Sequence, residues 1–242
     1  SKTTLISVLE RHLKERLRVV RQPNIEQSRY NVIITHDVVK RYLSNLTPQI
    51  FARYRDDRLD EGLSTSTVCR ELSFMSVAIK KAVRLYNCWL PEHPIPNDIK
   101  PKEKAPRNRR LEEGEFDKLM IHCKTKKNSY WCSMIEFAIE TAMRLNEQLT
   151  LTWDKVDLKN MLITILAEHS KTGIQRKIPL TPRAIQILQQ LPRHINGRVF
   201  PVSLNNFQRA WSSITRKSEV EDMHWHDLRR EACSRLMESG LS

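Results

Sequence analysis

The sequence predicts a mainly α-helical protein of two domains, the second carrying a small antiparallel sheet. Three observations give that class. Apolar residues recur at helical spacing through residues 1–90, with no convincing strand among them. Five prolines (Pro91, Pro94, Pro96, Pro101, Pro106) and six basic residues (Lys100, Lys102, Lys104, Arg107, Arg109, Arg110) then crowd one stretch, where no helix can continue. After Trp153 the pattern changes to three short β-type runs, Val156–Leu158, Met161–Leu166 and Gln175–Leu180. The expected division is a helical domain over 1–90, an extended basic linker over 91–110 and a mixed domain over 111–242.

The helices follow in order. Leu5, Val8, Leu9, Leu13 and Leu17 form one stripe of a helix within residues 1–20. A polar passage runs from Gln22 to Tyr30, and the apolar segment Val32–Tyr42 reads as mostly helical. Thr47-Pro48 opens a helix carrying Ile50, Phe51 and Tyr54, with Pro at its first position, and Gly62 marks the turn after it. Ser64-Thr65-Ser66-Thr67 precedes a long helix through Val68, Leu72, Met75, Ile79 and Ala82, whose other face offers Arg70, Lys80, Lys81 and Arg84. Past the linker, helices are expected over Glu112–His122 and Trp131–Met143. Turns at Lys159-Asn160 and Thr172-Gly173 separate the strands. Helices starting at Thr181-Pro182 and Ser203 follow, and a last one is entered through Asp227.

Bulk properties narrow the partners. A length of 242 residues with 40% hydrophobic content suffices for two cores, and mean hydropathy is −0.52. The formal charge of +13 is spread along the chain rather than gathered in a tail, as in a folded polyanion binder. No apolar run approaches the roughly 20 residues of a membrane span. Five cysteines without C-x-x-C spacing argue against a disulfide framework or zinc knuckle and for a reducing cytoplasm. His224 and His226 have no carboxylate or thiolate neighbour to complete a metal site, and five glycines form no phosphate-cradling loop. No metal and no cofactor is expected. The missing initiator Met and the abrupt end at Gly240-Leu241-Ser242 read as a piece of a longer chain.

Three stretches carry chemistry. In His224-Trp225-His226-Asp227-Leu228-Arg229-Arg230 a helix start puts His226 and Arg229 on one face. The imidazole can move a proton near neutral pH, and the guanidinium can fork onto two phosphate oxygens. Alone, this reads first as a basic, solvated helix start. Arg144, opposite the apolar face of Ile135, Ala138 and Ala142 on the helical wheel, is followed at three residues by Glu147, a structural ion pair when read by itself. Ser170-Lys171-Thr172-Gly173 puts Lys171 at the tip of a strand–turn–strand.

Together, T-A-M-R-L-N-E-Q-L-T-L-T-W-D-K-V-D-L (141–158), S-K-T-G-I-Q-R-K-I-P-L (170–180) and H-D-L-R-R-E-A (226–232) resemble, in order and spacing, the tyrosine recombinase (phage-type integrase) family. L-T-P and S-T-S-T-V-C-R-E-L before two helices of the first domain look like that family's helical, SAM-like core-binding domain, and R-N-R-R-L-E-E-G-E-F like the approach to its mixed α+β catalytic domain. The resemblance implies that Arg144 and Arg229 clamp the scissile phosphate, Lys171 protonates the leaving 5′-oxygen, His226 assists proton transfer, and Glu147 steadies the arginines from behind. Thr67, Arg70, Lys80, Arg107 and Arg109 are the candidate DNA contacts. The implied partners are double-stranded DNA and, for a complete protein, a homotetramer on paired sites, with accessory DNA-bending proteins, in the cytoplasm or nucleoid of a bacterial host.

Two departures stand out. Ala142 occupies a position where many relatives have Gly, and no tyrosine follows Tyr130, whereas the family pattern continues past H-x-x-R to a Tyr nucleophile. The expectation is a recombinase that breaks and rejoins strands through a 3′-phosphotyrosyl link when complete, and that is inactive in cleavage as this chain alone. A naturally truncated, non-catalytic relative that occupies recombination sites is the alternative; a type IB topoisomerase shares the chemistry but fits the short helical first domain less well.

Overall fold

A computed structural model describes residues 2–103, 105–125, 130–170 and 173–240. The chain divides into two compact units, residues 1–106 and 107–242, each with its own hydrophobic core.

The first unit contains α1 (Leu5–Leu17), α2 (Pro23–Ile33), α3 (Pro48–Asp60) and α4 (Thr65–Leu85). α1 lays its Leu5–Val8–Leu9–Leu13 stripe against α2 and α4. Ser64 sets the start of α4 by accepting the Thr67 N–H at 3.2 Å, the usual relief for an orphan donor of the first turn. Leu72, Met75, Ala78 and Ile79 then project into the core with no exposed surface.

Two sequence expectations are corrected here. The polar passage 22–30 is helical: Pro23 starts α2, Tyr30 and Ile33 are buried, and the polar surface of the helix is used, with Glu26 taking both Arg16 Nε and Nη2 at 3.0 Å. Val32–Tyr42 is not mostly α-helix. α2 stops at Ile33, in a run of β-branched residues that resist helix continuation, and only short 3-10 turns at Asp37–Lys40 and Leu43–Asn45 follow. The Pro-rich stretch 91–110 is shared between the units. Ile95 and Ile99 are buried in the first core, where Arg55 Nη1 donates to the Ile99 carbonyl at 3.1 Å.

The second unit contains α5 (Glu115–Lys124), α6 (Tyr130–Thr141), α7 (Leu145–Leu149), β1 (Val156–Asp157), β2 (Leu162–Ile165), β3 (Arg176–Pro179), α8 (Pro182–Gln190), α9 (Leu204–Lys217) and α10 (Trp225–Glu238). The strands form an antiparallel sheet in the order β1-β2-β3, with Ile163 opposite both Val156 and Ile178, and Ile165 opposite Arg176. α6 is the central helix and packs against α5, α8 and α10. Thr181 and Ser203 cap α8 and α9 through their hydroxyls, at 3.1 and 3.3 Å.

α10 is anchored at its start by Trp225, which stands edge-on to Phe207 and Trp211 with ring centroids 4.8 and 5.0 Å away. The expected cap, Asp227, is not the cap. The helix begins earlier, with His224 as N-cap, and Asp227 at the third helical position reaches back to accept the His224 N–H at 2.9 Å. This is the reciprocal arrangement of a capping box.

Candidate functional site

α6 ends at Thr141, and the chain must turn sharply before α7. The Thr141 hydroxyl donates to the Phe137 carbonyl at 2.6 Å and accepts the Met143 N–H at 3.4 Å. Ala142 makes the turn at φ +50°, in the left-handed region that costs a residue with a Cβ roughly 1–2 kcal/mol. The position that looked merely small in the sequence is therefore conformationally demanding. Arg144 emerges from this turn as the N-cap of α7, with extended backbone, rather than on the α6 wheel where the periodicity put it.

Its partner is the expected one. Glu147 is 1% exposed and accepts the Arg144 backbone N–H at 3.0 Å and Arg144 Nη1 at 3.1 Å. A second guanidinium arrives from the sheet: Arg176 Nη2 donates to Glu147 Oε2 at 2.7 Å. Burial pushes the Glu147 carboxyl up, but the hydrogen bonds from Arg176 and Arg144 outweigh it and hold the group below the usual carboxylate range.

Arg229 completes the cluster from α10. Its Nη1 donates to the carbonyl of Ala142, the left-handed residue itself. Burial, and then the positive charge of Arg144, hold its pKa below the ordinary arginine value. His226, one turn earlier, is likewise held below its ordinary value by burial and by Arg230, Arg229 and Arg144, so the imidazole is neutral at neutral pH. Three guanidiniums thus gather around one buried carboxylate. The excess positive charge, carried on groups with planar donor forks, suits an anion with several oxygens.

The structure brings together Arg144, Glu147, His226 and Arg229 of the residues predicted from sequence; Lys171 lies outside the described residues, as does the Thr172 half of the expected turn. Arg176 was missed. Its signal was present: on β3 it shares a face with Ile178, and both are partly buried while Lys177 and Pro179 are exposed.

The remaining candidates separate clearly. Arg70 and Lys80 are exposed on α4. Thr67 donates its N–H to the Ser64 hydroxyl, and the two hydroxyls share a hydrogen bond in the cap of α4. Arg107 and Arg109, expected along a DNA backbone, give their donors instead to carboxylates of their own unit, the buried Asp227 and Glu115 and the exposed Asp222. Arg107 binds Asp222 Oδ1 at 2.9 Å and Asp227 Oδ2 at 3.0 Å, and Arg109 pairs with Glu115. Arg110 continues the series onto Glu231 at 3.0 Å and Glu238 at 2.6 Å. The bonds to Asp227, Glu231 and Glu238 brace α10 on the face opposite Arg229. Among the described residues no group of three or more His, Cys, Asp or Glu side chains is placed to hold a metal ion, and no helix is long and apolar enough to cross a membrane.

Known proteins share the sequence pattern and the fold. The profile of the phage integrase family matches residues 109–242. A shufflon-specific DNA recombinase of Escherichia coli is 33% identical over 99% of the chain, which spans 63% of that protein's length. Among solved structures, the Tn1549 transposon integrase in complex with circular intermediate DNA superposes with a TM-score of 0.82 at 15% identity, covering 99% of this chain and 89% of that one. A lambda integrase tetramer bound to a Holliday junction gives 0.78 at 19% identity, covering 100% and 72%. At these identities the two structures establish the fold, mainly helical with a three-stranded antiparallel sheet. The chain belongs to the phage integrase family.

Proposed function

We propose that the Arg144–Arg229 site grips the scissile phosphate of duplex DNA in a site-specific recombinase. The observation that carries this is the surplus of guanidinium donors around Glu147. As an oxygen nucleophile adds to phosphorus, negative charge grows on the non-bridging oxygens, and preorganised donors stabilise that charge without reorganising. Glu147 holds Arg144 in place, and Ala142 fixes Arg229 through its carbonyl. His226, neutral at neutral pH, can hydrogen-bond the phosphate and assist proton transfer. In this reading Lys171 protonates the departing 5′-oxygen.

A tyrosine would attack to give a 3′-phosphotyrosyl link that conserves the bond energy for rejoining. No tyrosine follows Tyr130 in the sequence, and in this reading residues 1–242 supply the phosphate grip rather than the nucleophile. The complete protein would act as a tetramer on paired sites in a bacterial cytoplasm, with DNA-bending proteins as accessories. The alternative is a non-catalytic relative that only occupies recombination sites.

Two measurements test the proposal. Affinity of this chain for duplex DNA should fall by roughly 10²-fold or more between about 50 and about 200 mM salt, as counterion release from several phosphates requires; a flat response would remove the DNA-gripping role. The natural protein carrying this chain should form a covalent complex on a nicked duplex site. Salt-dependent binding without any covalent product would establish the non-catalytic reading instead.

A further inference from the structure

The first unit buries a side chain that its packing does not account for. His12, on α1, is 1% exposed, and its Nδ1 has no hydrogen-bond partner among the described residues. Buried polar atoms are seldom left so. The ring stands edge-on to Phe74 of α4, centroids 5.0 Å apart. Both rings line a cavity of about 190 Å³ where α1, α2 and α4 converge. One water occupies about 30 Å³ of the liquid, so a single bridging water would leave most of this space unfilled. The cavity is also below the roughly 300 Å³ at which pockets for drug-sized ligands begin, too small for a nucleotide.

The other lining residues set the charge of an occupant. Arg16, Arg29 and Arg70 line the cavity, with Glu26 as its one carboxylate. Glu26 takes Arg16 through Nε and Nη2 and Arg29 through Nη1, all at 3.0 Å. Arg70, exposed on α4, has no hydrogen bond or ion pair among the described residues. Three guanidiniums against one carboxylate leave a positive surplus. His12 does not add to it. Burial, with Lys81 and Arg16 behind it, lowers its pKa to about 4 against the opposing pull of Glu15 and Glu26. At neutral pH the ring is therefore an uncharged hydrogen-bonding group. A cation would be repelled here, and an apolar occupant would leave Nδ1 and Arg70 unserved. Water would serve Nδ1 and leave the charge. An oxyanion serves both, one oxygen accepting from Nδ1–H and others taking the planar fork of Arg70.

We propose that the first unit holds a small phosphate-type oxyanion between His12 and Arg70, in the cavity lined by α1, α2 and α4. The site lies wholly within one unit and stands whatever the second unit does to DNA. An ion bound there joins α1 to α4 and stabilises the unit by mass action.

The test follows the natural protein carrying this chain, labelled with carbon-13 at histidine Cε1, by NMR at neutral pH as inorganic phosphate is added. The His12 signal, identified by its loss in His12→Leu, should move along a saturable curve with its midpoint at about 1–10 mM. Sodium chloride of equal ionic strength should leave it in place. Arg70→Ala should raise the midpoint by about tenfold. Arg70→Lys, which keeps the charge and loses the fork, should raise it by about threefold. Arg70 is exposed, so neither change threatens the fold. A shift that grows without saturating means an adventitious ion only and overturns the proposal, as does a saturable shift that Arg70→Ala leaves unchanged. If phosphate leaves the signal unmoved while duplex DNA shifts it, the cavity belongs to a DNA-contacting surface and the small-anion site falls.

Discussion

Each unit of the molecule buries a glutamate against arginine, and the two networks end differently. In the first, Glu71 is 3% exposed and accepts Arg58 Nε and Nη2 at 3.0 and 2.9 Å and the Tyr54 hydroxyl at 2.8 Å. Arg58 is itself only 5% exposed, and its remaining terminal nitrogen goes to Glu61. In the second, Glu147 is as deeply buried, but the side chains of Arg144 and Arg176 that serve it remain about a third exposed. Arg229 beside them has, among the described residues, one hydrogen bond. The first network is closed on itself; the second has donors left over. A buried ion pair alone says little about function. Unspent donor capacity facing solvent is what separates a site from a strut.

The sharpest way to break that comparison is to remove one arginine from each network. Arg58→Ala should lower the unfolding free energy of the first unit by about 3–5 kcal/mol in urea titration, since it strands a buried carboxylate. Arg229→Ala should cost about 10²–10³ in cleavage rate in the natural protein. Its stability cost should be about 1–3 kcal/mol, the price of an unpaired Ala142 carbonyl. If Arg229→Ala melts its unit as severely as Arg58→Ala, the distinction between the networks fails.

Acid should separate the units as well. His12 is 1% exposed, lies edge-on to Phe74 at 5.0 Å, and is lowered to about 4 by burial, with Lys81 and Arg16 adding to the effect. The unfolded chain takes up this proton near pH 6.5 and the folded chain only near 4. The contribution is therefore complete above pH 6.5 and lost as pH falls towards 4, by up to about 3 kcal/mol. His12→Leu should flatten that window. In the second unit Glu147 and Asp227 are held below the carboxylate range, in each case because hydrogen bonds from arginine and backbone outweigh burial. Their contribution is complete above the unfolded value of about 4.3 and fades only below it. Tryptophan fluorescence, dominated by the second unit's Trp131, Trp153, Trp211 and Trp225, should thus hold to lower pH than the helical circular dichroism of the whole chain. Coincident acid transitions would show that the two carboxylates and His12 do not set the windows.

The smallest expected effect is at the turn. Ala142→Gly should raise the thermal midpoint of the second unit by the equivalent of about 0.5–1 kcal/mol, because Gly adopts positive φ without strain. A fall instead would mean that the Cβ supplies packing worth more than the strain it causes.

The sequence carried most of the scaffold because periodicity and capping are local. The α4 and α9 starts at Ser64 and Ser203 and the three strands could be read from neighbours alone. α2 could not, since its burial depends on three residues, Glu26, Tyr30 and Ile33, amid polar neighbours. At the site, Arg144, Glu147, His226 and Arg229 were visible through motif spacing. Arg176 and the inward turn of Arg107 and Arg109 were not. Which carboxylate a guanidinium meets is decided by tertiary partners, here up to 128 residues away, and no window of sequence contains both.

The Arg107–Asp227 bond joins positions 120 residues apart, on either side of α5 to α9 and the whole sheet. That distance bears on time rather than on strength. During synthesis, the segment at Arg107 leaves the ribosome long before Asp227 exists, so its guanidinium waits without its partner while the intervening helices and sheet form. Contacts of such long sequence separation are slow to close and come late. The helix presenting His226 and Arg229 is thus secured after α5 to α9 and the sheet, and the arginine cluster around Glu147 assembles only then.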